Sequence, residues 1–156
     1  NKFSAQIAND NSDGQIVLSG KSKDLDKLSE CLKINSIKNI KLPVSAPFHC
    51  SLMNKATKIM SEEIKKLNFT DSSNKLISNV TAKEITNENE LKDLLIKQIE
   101  NRVRWRESII YMINSGVNQF IEIGPGKVLS GLVKRINRDI KINAINNESD
   151  LESIKI

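Results

Sequence analysis

VNQFIEIGPGKVLSGLVKRINRDIKINAIN, residues 117–146, decides how this chain is read. VNQFIEIG is a short apolar strand closed by the tight turn GPGK, Val128 to Ile136 carries helical spacing, and KINAIN returns as a second strand. Working outward, a helix is predicted from about Trp105 to Asn114, stopped by Ser115 and Gly116. Before it, Leu91, Leu94, Leu95 and Ile99 mark an amphipathic helix ending near Asn101, preceded by the polar stretch TAKEITNENE and by KLISNV (75–80), a buried strand. Leu52, Ala56, Ile59, Met60, Ile64 and Leu67 share one helical face, which predicts a helix from about Ser51 to Lys66. Asn39 to Val44 reads as a short apolar strand, and Pro43 and Pro47 bracket a bend. This alternation of strand and helix predicts an α/β layered sheet.

The first part has another rhythm. KFSAQIA and QIVLSG alternate as two strands around NDNSDG, and from Ser22, a candidate N-cap, Leu25, Leu28 and Leu32 follow a helical period. A small subdomain is expected there. The chain shows no internal repeat, low-complexity tract or Gly/Ser linker.

Composition narrows the classes. The 156 residues suffice for one buried core. Aromatics make up only 4%, so Ile, Leu and Val must fill that core. A net charge of +5 favours anionic partners. Lys and Arg are spread without a basic block or interleaved aromatics, which argues against nucleic-acid binding. Cys31 and Cys50 have no metal-ligand spacing, and one histidine leaves no zinc set, so no metal and reduced thiols are expected. No stretch suits a bilayer span or a signal peptide, which predicts a cytoplasmic protein without membrane contact. The chain opens NKFSAQIAND, without Met and already in strand-like material, as if joined partway through.

His49 is the only histidine. A lone histidine is more often a surface or satisfied core residue than a catalyst. This one lies past an apolar strand at a proline bend that opens a helix, and the carboxyl ends of strands in α/β sheets are where ligands collect. As a base it needs a nucleophile within reach and a third group to hold its ring. Cys50 is a poor candidate, because neighbours in an extended segment face opposite ways. The elbow G-x-S-x-G is absent. EIGPGKVL offers a glycine turn before a helix, suited to an anion. It lacks the phosphate-loop spacings, so a plain strand-to-helix turn is preferred. Trp105 between Arg104 and Arg106 is equally a cationic surface or a packed ring with snorkelling neighbours.

Taken together, ANDNSDGQIVLSG (8–20), LPVSAPFHCSLM (42–53), ISNVTA (77–82), Gln98 through NRVRWRESIIYM (101–112) and IEIGPGKVLSGLVKRI (121–136) resemble the C-terminal half of the malonyl-CoA:acyl carrier protein transacylases. The five blocks stand in the family's order along nearly the whole chain. The resemblance implies a fold in which residues 1–43 are the later part of a ferredoxin-like small subdomain. Residues 44–156 would be the C-terminal part of an α/β-hydrolase-like large subdomain. It implies ping-pong transfer of malonyl from malonyl-CoA, a substrate and not a bound cofactor, through an acyl-serine to the phosphopantetheine thiol of acyl carrier protein in fatty acid biosynthesis. By the same resemblance His49 is the catalytic base, Gln98 orients its imidazole, Phe48 narrows the acyl pocket, and Asn9 and Asn11 lie near the substrate.

The nucleophilic serine, the oxyanion-hole segment and the arginine for the malonyl carboxylate match nothing here; they belong to the half of the family that precedes Asn1. Asp13 stands where the family has Pro, and Arg102 where it often has Pro. The chain by itself is therefore expected to be inactive and prone to aggregate. Rival readings are an acyltransferase domain of a polyketide or fatty acid synthase, and a non-catalytic carrier-binding module or decayed-gene remnant.

Overall fold

Hydrophobic spacing and turn chemistry set the order of elements in the computed structural model, which describes residues 3–70 and 72–153. A hairpin comes first: β1 (Ala5–Ser12) pairs antiparallel with β2 (Gln15–Gly20). Lys2, the first residue of the strand expected at its start, lies outside the described residues. The polar NDNS stretch, expected in the turn, belongs to β1. Irregularities between Ile7 and Asn9 and between Asp10 and Ser12 let it stay paired, so the loop shrinks to Asp13 and Gly14. Gly14 takes φ 75°, open to a residue without Cβ.

Helix α1 (Ser22–Ile34) follows, with Lys21 and not Ser22 at the cap position and no side-chain cap bond. The strand expected over Asn39–Val44 is not formed. Ile40 and Val44 are 75% and 67% exposed, and no described strand lies beside them to complete a ladder. Val44 N–H closes a tight turn on Leu42 O instead (2.9 Å). The helix expected from Ser51 divides into a 3-10 turn (Ser51–Met53) and α2 (Asn54–Lys66).

KLISNV is also no strand. Ile77 makes a single bridge to Glu84, and Ser78 then takes over the backbone. Its Oγ accepts from Val80 N–H (3.1 Å) and Thr81 N–H (3.4 Å), and its carbonyl accepts from Ala82 N–H (2.9 Å). Short hydroxyl side chains compete with ladders in this way.

Helix α3 (Glu88–Gln98) starts earlier than its apolar residues suggest, because Asn87 Oδ1 accepts from Glu90 N–H (3.0 Å). Helix α4 (Trp105–Asn114), strand β3 (Gln119–Ile123), helix α5 (Val128–Ile136) and strand β4 (Lys141–Ile145) fall where periodicity places them, and a 3-10 segment (Glu148–Ser153) closes the described chain. β3 and β4 run parallel, from Gln119 opposite Lys141 to Ile123 opposite Ile145. The molecule is thus α/β, with α5 carrying the crossover.

The core gathers on this unit. Ile109, Val133 and Ile140 are buried, with Trp105, Met112, Phe120 and Ile142 packed against them. Trp105 is therefore a packed ring. Its neighbours pair locally: Arg104 and Arg102 reach Glu107, and Arg106 reaches Asp10 and Asp13. The hairpin is sewn to this core by backbone: Val103 N–H donates to Ala8 O (2.8 Å) and Asp10 N–H to Val103 O (2.9 Å).

Candidate active site

The segment from Pro47 to Ser51 crosses the C-terminal end of α3, and that crossing defines the site. An α-helix leaves its last carbonyls without intrahelical donors. Here two of them are met by one residue: His49 N–H donates to Ile99 O (3.1 Å), and His49 Nδ1 lies 2.9 Å from Gln98 O. A carbonyl oxygen only accepts, so Nδ1 carries the proton in this bond. Nε2 is then left in the neutral ring with its lone pair free. No other hydrogen bond to the ring is made among the described residues. The imidazole is half-buried.

This placement has a backbone cost. His49 sits at φ 59°, in the left-handed region that few non-glycine residues adopt. Such conformations persist where surroundings over-determine them, and they concentrate at working sites. Two features hold the turn. Cys50, 1% exposed, donates its Sγ–H to Pro47 O (3.2 Å), so it packs inward. Gln6 of β1 grips Ser51 twice, with Oε1 accepting from Ser51 N–H (2.9 Å) and Nε2 donating to Ser51 Oγ (2.8 Å). Beside this clamp is a cleft of about 290 Å³ lined by Gln6, Gly20, Lys21, Cys50, Ser51 and Leu52; the imidazole does not line it.

Of the residues singled out from sequence, His49 and Gln98 are brought together, through the backbone carbonyl of Gln98. The Phe48 ring lies 6.4 Å from the His49 ring, tilted by 50°, and Phe48 is 54% exposed. Asn9 and Asn11 stay on β1, where Asn9 bridges to Val103; neither makes a side-chain hydrogen bond to His49 or Gln98. Gln6 and Asn79 were not anticipated. Asn79 Nδ2 donates to Gln98 Oε1 (3.0 Å). Its only sequence signal was membership of the ISNVTA block.

The glycine turn before α5 already faces an anion of the chain's own, the Glu122 carboxylate. Leu129 N–H (3.1 Å), Ser130 N–H (2.7 Å) and Ser130 Oγ–H (2.6 Å) all go to the Glu122 carboxylate, and Gly126 N–H goes to Asn146 Oδ1 (2.6 Å). Four donors that a phosphate would use are thus already taken. The Ser130 hydroxyl, opposed by partial burial and helped by the two backbone N–H groups, holds the Glu122 pKa below the ordinary carboxylate range. Asp10 first, then Asp13, raise the pKa of Arg106 further above its usual value. Among the described residues, no three His, Cys, Asp or Glu side chains converge as a metal ion requires, and no helix is long and apolar enough to cross a membrane.

No family model matches the chain. The malonyl CoA-acyl carrier protein transacylase of Bacillus subtilis strain 168 is 45% identical over 152 residues, 97% of this chain and 47% of that protein. Among solved structures, the transacylase of Clostridium perfringens ATCC 13124 superposes with a TM-score of 0.92 at 39% identity, over 97% of this chain and 48% of its own. A malonyl-transacylase in complex with its type II PKS acyl-carrier protein gives 0.91 at 31% identity, over 96% and 48%. The chain spans about half the length of the curated relatives it matches. On sequence and on structure alike, this α/β chain is a homologue of the malonyl CoA-acyl carrier protein transacylases over one half of their length.

Proposed function

We propose that this chain supplies the general-base half of a malonyl-CoA:acyl carrier protein transacylase. His49 is the base, and the Gln98 carbonyl orients it. The reading is carried by the Nδ1–Gln98 O contact of 2.9 Å, which leaves Nε2 as the ring's free acceptor. A serine hydroxyl, from the half of the relatives that this chain does not span, gives its proton to Nε2 as its oxygen bonds to the malonyl carbonyl carbon. The carbon–sulfur bond then breaks and the proton passes from His49 to the departing coenzyme A thiolate. In the second half-reaction, the thiol of acyl carrier protein gives its proton to Nε2 and attacks the acyl-serine, and His49 returns the proton to the serine oxygen.

Malonyl-CoA is a substrate in this scheme, and no bound cofactor takes part. Acyl carrier protein is the partner, a reading supported by the transacylase–carrier complex among the structural relatives. Phe48 bounds the acyl group, and Asn9 and Asn11 lie toward the substrate. Residues 1–43 are read as the later part of a ferredoxin-like small subdomain and residues 44–156 as the C-terminal part of a hydrolase-like one. The Val103 hydrogen bonds to β1 would then cross that boundary.

The test is reconstitution. The chain is combined with a polypeptide equivalent to the remaining half of the relatives, and transfer of radiolabelled malonyl from malonyl-CoA to acyl carrier protein is measured. Transfer is expected only from the combination, and His49→Ala is expected to lower its kcat by about 10²–10⁴. Transfer by the 156-residue chain alone, or full activity of His49→Ala, defeats the reading.

A further inference from the structure

We propose that Asn79 is a positioning residue for His49, acting through the Gln98 side chain. The inference rests on the reading of His49 as a base. It adds the component that keeps the orienting carbonyl in place.

Gln98 is the last residue of α3, where the hydrogen-bond pattern is already changing: Ile99 N–H reaches back only to Ile96 O, and Glu100 N–H to Lys97 O. Helix ends fray, and a carbonyl at such an end is free to tilt. Gln98 borders a small cavity of about 130 Å³ whose lining also includes Asn79, Leu91, Leu94 and Leu95, so its side chain is not packed on every side. What holds it is Asn79, whose Nδ2–H donates to Gln98 Oε1 at 3.0 Å.

Asn79 is itself anchored. Its carbonyl accepts from Arg104 N–H (2.9 Å), next to the Val103 backbone that is bonded to β1. It follows Ser78, which is 5% exposed and ties the loop shut with hydrogen bonds to residues 80, 81, 82 and 83. Ala82, also 5% exposed, takes φ 56° to complete the loop. A tight loop, buried at Ser78 and Ala82, thus presents one amide to the residue whose carbonyl orients the imidazole. Rigid support of an orienting group is what keeps a base aimed between turnovers.

Because His49 is the only histidine, a chain labelled with ¹⁵N-histidine gives one imidazole, whose two nitrogen shifts report its tautomer in solution or in sedimented protein. At about pH 8.5 an ordinary imidazole, with pKa about 6.5, is neutral. The unsubstituted chain is expected to show the Nδ1–H form; an Nε2–H form there defeats the base reading whatever Asn79 does. Asn79→Ala is expected to lower the ratio of Nδ1–H to Nε2–H about fivefold, the worth of one hydrogen bond. Asn79→Asp is expected to restore most of it, since the Gln98 amide can turn its N–H onto the carboxylate.

In a Gln98→Leu background, Asn79→Ala is expected to change nothing further. An unchanged ratio in folded Asn79→Ala, or an undiminished effect in the Gln98→Leu background, overturns the proposal. Should circular dichroism show Asn79→Ala unfolded, Asn79→Ser is read against the same two outcomes.

Discussion

Glu122 shows how one side chain settles what a motif cannot. From the sequence, EIGPGKVL was open to an anion; in the fold, β3 supplies its own anion to the start of α5. A negative group there meets unsatisfied N–H donors. Because the folded pKa of Glu122 is depressed, its contribution is complete above the ordinary value of 4.5 and is lost as pH falls through the lower folded value. Glu122→Gln is therefore expected to cost about 1 kcal/mol near neutrality. The gap from the unsubstituted chain should close in melts recorded at progressively lower pH below about 4.5; a gap independent of pH would contradict this. At this scale the candidacy of His49, the sole histidine at a proline bend, was legible, while its role as a base came from the family resemblance. Its positive φ and Asn79 were not, since both depend on carbonyls and amides that approach only after folding.

Helices were easier to read than strands, and the reason is where each finds its hydrogen bonds. α4 and α5 satisfy their backbones internally, so apolar period, with Gly116 after α4 and the GPGK turn before α5, suffices to bound them. Asn39–Val44 and KLISNV carry strand-like composition, but a strand needs a neighbour, and sequence spacing does not say whether one is present. The start of α3 was missed because its cap is polar: Asn87 receives Glu90 N–H, while the Glu90 carboxylate accepts from Thr86 N–H (2.8 Å) and Thr86 Oγ–H (2.7 Å). This is close to a capping box. Asn87→Ala is expected to destabilise the chain by about 1 kcal/mol, with a Tm lower by roughly 2–4 °C, whereas Asn87→Gly should cost only a few tenths. Equal losses for both substitutions, in calorimetry, would mean that the side-chain cap is not the cause.

The whole molecule keeps its sheets small and leaves much apolar surface outside. β3 and β4 form a parallel pair, a pattern that proteins normally bury on both faces, yet Ile121 is 40% exposed and Ile123 79%. Ile34, Ile40, Val44 and Ile59 are each at least 66% exposed. Open parallel edges and apolar patches promote association. The chain alone is expected to self-associate in sedimentation velocity at micromolar concentration; a monodisperse monomer with a cooperative melt would contradict that. The suture between hairpin and core has a further meaning, in time. Arg106 meets Asp13 across 93 positions of sequence, beside the backbone bonds at Val103. Synthesis at roughly 5–20 residues per second leaves the hairpin about 5–20 s without its partner. During that interval on the ribosome Ala8, buried in the finished fold, lacks its bond from Val103, so β1 and β2 are locked only after a much later stretch of chain has emerged.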